Sequence, residues 1–210
     1  MKFHTAEDQS SITPQKALDF LKEGNQRFVE NLKAHSNLLE QVNESRASQF
    51  PFAIILSCID SRTSAELIFD QGLGDIFSTR VAGNIINDDI IGSMEFACKM
   101  AGSKLIVVLG HSNCGAIKGA CHYVKLGHLT SLLNKVNPAI NETKKQFPDL
   151  DMHSQEAIDQ VAFNNVHIMK EEILNRSVVL NDMFKAKEIG IVSAYYKVET
   201  GEVQFIDATV

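Results

Sequence analysis

Two short stretches hold the side chains that could do chemistry: Cys58-Ile59-Asp60-Ser61-Arg62 and Gly110-His111-Ser112-Asn113-Cys114-Gly115. Two thiolates and one imidazole (Cys58, Cys114 and His111) are suitable ligands for zinc, and three protein ligands leave a fourth tetrahedral position for water or substrate. A closed structural site needs a fourth protein ligand, and the chain contains no Cys-x-x-Cys pair to supply it. The same lack argues against a dithiol redox centre. Zn²⁺ with two thiolates is neutral overall, hence a weaker Lewis acid than zinc on three imidazoles. Such a centre benefits from an acceptor that orients its water. Asp60 fits that need if Arg62 holds it by paired hydrogen bonds and keeps it ionised. In an extended segment Cys58, Asp60 and Arg62 share a face, since side chains repeat every second residue. In the alternative geometry Asp60 leaves Arg62 and ligates zinc itself, displacing water. A lone cysteine after a buried strand is more often a packed core residue; it is the combination of the two stretches that points to a metal.

Each stretch follows a short apolar run, Phe52 to Ser57 and Leu105 to Leu109, of the length of a buried strand. Asp75 to Val81, Ile189 to Tyr195 and Val203 to Ala208 read as three further strands, the last two joined by a turn at VETGEV. Between them lie helical segments. Thr63-x-x-Glu66 has the form of a capping box. Asn87 to Met100 is stopped by Ala101-Gly102, and Cys114 to Leu126 follows Gly110, which is read as closing its strand. Leu129 to Phe147 is weaker, with Pro138 and Pro148 as breakers, and Ser154 to Asn175 precedes a helix to Lys187. Alternating strands and helices predict an α/β fold: a mostly parallel central sheet flanked by helices, with a C-terminal antiparallel edge hairpin. Ligands bind such sheets beyond the carboxyl ends of the strands, where both stretches lie. At the front, Thr13-Pro14 starts a helix, and Ala17, Leu18, Leu21, Phe28 and Leu32 form one apolar stripe that must pack on its own domain or on a partner. The whole of 1–210 is read as one domain, with a helical arm over 1–48 and an α/β core over 49–210.

The composition supports this class and narrows the partners. A 210-residue chain that is 44% hydrophobic and 22% charged can build a core without disulfide staples. A net charge of −6 lacks the basic face that nucleic acid or an anionic membrane needs. The expectations are therefore no nucleic acid, no membrane, and a reducing, cytoplasmic setting, since the first residues show no apolar signal core and no apolar run approaches the ~20 residues that span a bilayer.

The chain resembles the β-class carbonic anhydrases. The family's Cys-x-Asp-Ser-Arg stands in full at Cys58 to Arg62 and its Gly-His-x-x-Cys-Gly at Gly110 to Gly115. The likeness continues through Phe69 to Phe77, Arg80-Val81-Ala82-Gly83-Asn84 and Ile106 to His111. The resemblance implies one Zn²⁺ per chain on Cys58, His111 and Cys114, the dyad Asp60 and Arg62, and reversible hydration of CO2 to bicarbonate and a proton by hydroxide on the zinc. It implies a substrate pocket with Phe77 and Phe96, and Gln49 and the Gly115 backbone N–H as donors. It also implies homodimers or homotetramers, with active sites at the subunit interface and N-terminal helices wrapped around the partner, a role that would suit Thr13 to Leu32. Gln49 stands nine residues before Cys58, as in one subgroup. The other subgroup has a Trp three residues before that Cys, part of a regulatory bicarbonate site; here the position is Ile55 and the chain has no Trp. The pocket Tyr of some relatives is Phe96 here, so no hydroxyl relay exists at that position. Hydrolysis of CS2 or COS on the same scaffold, and a non-catalytic zinc or bicarbonate sensor, are the competing readings. Cys98, Cys121, His122, His128, His153 and His167 are read as packing or solvated residues.

Overall fold

The apolar runs become five strands: β1 (Ala53–Ser57), β2 (Ile76–Arg80), β3 (Leu105–His111), β4 (Gly190–Tyr196) and β5 (Val203–Phe205). Among the described residues, ten α-helices flank them: α1 (Ala6–Ser11), α2 (Pro14–Val29), α3 (Leu38–Ser45), α4 (Ala65–Ile68), α5 (Asp88–Glu95), α6 (Gly115–Cys121), α7 (Gly127–Leu133), α8 (Asn137–Gln146), α9 (Gln155–Arg176) and α10 (Val178–Lys185). The computed structural model describes residues 5–207 apart from 33, 35 and 36. The strand order is β2-β1-β3-β4-β5, parallel throughout except for the antiparallel β4–β5 edge. Ala208, expected in the last strand, lies outside the described residues.

β1, β3 and β4 are buried at every position because helices cover both faces of a parallel sheet. The two-residue period then sorts their side chains. Ile54, Leu56, Ile106 and Val108 join a core with residues of α5, α6 and α8 to α10. Ala53, Ile55, Leu105, Val107 and Leu109 join the opposite core with Ala17, Leu18 and Leu21 of α2 and Ala65 and Ile68 of α4. Each fully buried Leu or Ile contributes about 1.5–3 kcal/mol, so these paired stripes hold the layers together. Ala17, Leu18 and Leu21 of the predicted stripe are thus spent on their own chain, with Phe28 partly buried against the same core, while Leu32 lies beyond α2 and is exposed; α3 has no buried residue. No helix among the described residues is long and apolar enough to cross a membrane.

Several sequence signals have a different use from the one expected. Gly110 does not close its strand, which runs on to His111. A Cβ at Gly110 would stand 2.6 Å from Val166 Cγ1 of α9, so the glycine lets that helix cross closely. The Thr63–Glu66 capping box does not form. Ser64 is the N-cap of α4 and makes no side-chain cap; the Thr63 hydroxyl is engaged by the carbonyls of Cys58 and Asp60. Pro138 is not a breaker but sits at the start of α8, where its missing N–H is no loss. The helix after Cys114 ends at Cys121 rather than Leu126, with Tyr123 at φ 53° just beyond.

Candidate metal centre and active site

The sheet order reverses at β1: β2 lies on one side of it and β3 on the other. The crevice beyond the carboxyl ends of β1 and β3 is therefore the topological switch point, the usual ligand site of such sheets. Cys58 follows the last residue of β1, His111 is the last residue of β3, and Cys114 is the N-cap of α6. One donor atom from each lies within 4.8 Å of the others, and all three residues are buried. The two Sγ atoms are 3.9 Å apart. His111 Nδ1 faces the Ser112 carbonyl at 2.9 Å. A carbonyl only accepts, so Nδ1 carries the proton and Nε2 is bare. Nε2 is buried with no hydrogen-bond partner among the described residues, which is costly unless something coordinates it. Two thiols and an orphaned imidazole nitrogen at this spacing fit a tetrahedral metal such as zinc, with one position left over.

The electrostatics agree with that fit. Cys114 lies against Cys58 and does most to lower the Cys58 thiol below its ordinary range, with His111 and the Gly83 backbone amide adding to the effect against burial. Gly83 N–H donates to Cys58 Sγ at 3.3 Å; Gly83 is at φ 71°, and its carbonyl accepts from Asn165 Nδ2. Cys114 is pushed up by its contact with Cys58 and by burial.

Asp60 and Arg62 come together in a way that strand periodicity did not foresee. Residues 58–62 are not extended. β1 ends at Ser57, and Thr63 N–H donates to the Asp60 carbonyl to close a turn. Within it Asp60 Oδ1 accepts from the Arg62 backbone N–H at 3.0 Å, an Asx turn. The guanidinium then folds back, with Nε 2.9 Å from Oδ1 and Nη2 2.8 Å from Oδ2. This two-pronged pair holds the Asp60 carboxyl well below the usual carboxylate range. Arg80, opposite Ser57 at the end of β2, donates to the carbonyls of Cys58 and Asp60. It fastens the turn from the neighbouring strand.

The remaining expected pocket residues divide between two concavities. Cys58, Asp60 and Gly115 line a cavity of about 500 Å³ whose other walls include Ile59, Ala82, Val124, Leu129 and Leu133. Phe77 and Phe96, with ring centroids 6.3 Å apart, line a different concavity of about 590 Å³ with Ile54, Asp88 and Asp89. Gln49 is exposed and lines neither. The pocket drawn from sequence around one metal is therefore not assembled within one chain. The apolar wall from α7 and from Val124 carried no sequence signal, because its residues look like any helix stripe. Arg80 could have been found, since it lies in the Arg80–Asn84 stretch already marked by the resemblance.

The other reactive types are placed as packing or surface groups. Cys98 and Cys121 are buried, and burial raises their thiols to about 12 and about 11. His122 and His153 are exposed and meet edge to face at 4.8 Å. His128 is exposed, and His167 packs against Phe163.

Comparison with known proteins agrees with this geometry. The carbonic anhydrase family matches residues 53–203. Carbonic anhydrase 2 of Mycobacterium tuberculosis is 32% identical over 197 residues, covering 91% of this chain and 92% of its own length. Among solved structures, the β-carbonic anhydrase CcaA superposes with a TM-score of 0.72 at 27% identity, over 90% of this chain and 95% of that one. CafA of Aspergillus fumigatus, 23% identical, shares the fold with a TM-score of 0.74 over 92% of this chain and 90% of its own. The chain belongs to the β-carbonic anhydrases, a family of carbonate dehydratases.

Proposed function

We propose that the chain holds one Zn²⁺ on Cys58, His111 and Cys114 and interconverts CO2 and water with bicarbonate and a proton. The observation that carries the reading is the cluster of one donor atom each from Cys58, His111 and Cys114 within 4.8 Å of one another, with His111 Nε2 buried and unpartnered among the described residues, beside a cavity that Cys58 and Asp60 line. When bound, zinc supplies the acidity that makes water nucleophilic near neutral pH. Asp60, ionised and fixed by Arg62, would accept a hydrogen bond from a water held there and so orient it toward CO2. The apolar wall of Ile59, Val124, Leu129 and Leu133 admits an uncharged substrate and excludes bulk water, and the Gly115 N–H offers a donor to the oxygen that gains charge. The proton leaves to solvent or buffer, since position 96 is Phe and offers no hydroxyl.

Phe77 and Phe96, which line a separate concavity, and the exposed Gln49 serve as substrate-pocket residues for the cavity of a second copy of the chain. The assembly is accordingly a dimer, or a tetramer of two dimers, with active sites at the interface. The apolar side chains of α3, Leu38, Leu39 and Val42, are exposed and are the part of the 1–48 arm free to lie on that copy. Ile55, where a Trp would mark a regulatory bicarbonate site, is fully buried in β1, which supports the subtype without one. Thiolate ligands suit a reducing cytoplasm.

Stopped-flow CO2 hydration by protein carrying one zinc per chain tests the reading. Turnover abolished by a chelator and restored by zinc is expected. Full zinc occupancy without CO2 turnover defeats it, and turnover of CS2 or COS instead would identify the other hydrolytic activity.

A further inference from the structure

The two residues between His111 and Cys114 are held from outside the turn. Asn113 sits at φ 55°, a left-handed conformation that an L-residue keeps only where its surroundings hold it. The Ser112 N–H donates to the Tyr196 carbonyl at the end of β4. The Ser112 hydroxyl donates to Glu199 Oε2 at 2.8 Å and accepts from the Val198 N–H at 3.0 Å. Asn113 Nδ2 donates to the other carboxylate oxygen, Glu199 Oε1. On the far side, the Asn113 N–H donates to Asp159 Oδ1 of α9, which also accepts from the Tyr195 hydroxyl. Glu199 therefore spans both side chains of the turn with its two oxygens.

Glu199 lies in the loop between β4 and β5, and that loop is itself anchored. Gly201 N–H donates to the Lys197 carbonyl. Asn25 of α2 donates to the Gly201 carbonyl and accepts from the Val203 N–H. So the carboxylate projects from a fixed hairpin. Its effect reaches the metal donors in one further step. The Ser112 carbonyl accepts from His111 Nδ1, which sets the ring orientation and leaves Nε2 bare. Holding Ser112 in place holds that carbonyl in place.

We propose that Glu199 is a positioning residue for the metal centre: by bridging Ser112 and Asn113 it fixes the turn that presents His111 and Cys114. The proposal rests on the metal reading above. Glu199 touches neither substrate nor metal donor. It acts through the Ser112 carbonyl and the Asn113 backbone, as outer-shell groups that orient ligands do.

Zinc release to a chromophoric chelator, with the visible spectrum of the Co²⁺-substituted protein, provides the test. Relative to wild type, Glu199→Ala is expected to release zinc about 10- to 100-fold faster, with a changed thiolate-to-cobalt charge-transfer band. Glu199→Gln keeps an acceptor for Asn113 but loses the acceptor for the Ser112 hydroxyl, and its rate is expected to fall between the two. Glu202→Ala removes a carboxylate in the same loop that, among the described residues, pairs with Thr200 and Lys197, and is expected to release zinc at the wild-type rate. Wild-type rates in Glu199→Ala and Glu199→Gln overturn the proposal, as does equal acceleration in Glu202→Ala, which would mean general loosening of the loop. If Glu199→Ala does not fold, the Glu199→Gln rate decides alone. Failure of the wild type to take up one zinc per chain would instead defeat the metal reading.

Discussion

Cys58 and Cys114 share with Cys98 and Cys121 both residue type and burial, yet only the first pair stands with an imidazole in a group of donor atoms. Around Cys58 the structure gathers a second sulfur, an imidazole and the Gly83 amide, and these outweigh burial to lower its thiol. Around Cys98 burial dominates, and the thiol is pushed up to about 12. The difference is not depth but the convergence of polar donors at the ends of two parallel strands. Cys98, in the helical turn Phe96–Met100 after α5, and Cys121, at the end of α6, face other apolar side chains. A buried cysteine becomes a ligand only where the fold also delivers partners.

The sharpest way to break this comparison is Cys58→Ala, which is expected to bind no tight zinc and to show no CO2 hydration above background. Metal analysis that still finds one zinc per chain would erase the distinction between the pairs. Asp60→Asn is expected to keep one zinc while losing turnover on the order of 10²-fold or more, because the amide cannot act as an anionic acceptor. A kcat equal to wild type would detach the dyad from the chemistry. Cys98→Ala is expected to leave zinc content and kcat unchanged and to lower stability by about 1–2 kcal/mol, as a small cavity does, read by urea unfolding. A loss of zinc there would mean that the two pairs are not separate.

The smallest expected effect is an absence of titration at Asp60. Its carboxyl is held below the ordinary carboxylate value by Arg62. The pair's contribution to stability is therefore complete above that value and is lost only as pH falls through the depressed one. A carboxyl ¹³C titration from about pH 7 to about pH 4 is expected to show no Asp60 midpoint. A midpoint inside that window would mean that the guanidinium does not hold the carboxylate.

Much of the fold is legible in the chain because burial and periodicity act locally. The runs Phe52–Ser57 and Leu105–Leu109 mark two central strands, and Asn87 and Ser154 stand at helix N-caps. The errors come where tertiary contacts claim a residue from its local role. Thr63 has the pattern of a cap, but its hydroxyl is used by the ligand turn. Gly110 has the look of a terminator, but α9 needs its missing Cβ. Residues 58–62 read as extended, but an Asx turn joins Asp60 to Arg62. No periodicity signals Glu199 or Asp159, since each acts through hydrogen bonds to residues 46 to 87 positions away.

By itself the sequence determined the donor types, their place after apolar strands and the family to which those motifs belong. Such information is chemical and local, carried by residue identity and short spacing. Only the tertiary structure decided that β1 and β3 are neighbours at the switch point, so that three donors separated along the chain converge. It also decided that Phe77 and Phe96 lie outside the cavity of their own Cys58, and that a carboxylate from the β4–β5 hairpin braces the turn beside His111. Those relations depend on strand order and helix crossing, which arise from the packing of the whole chain around two cores.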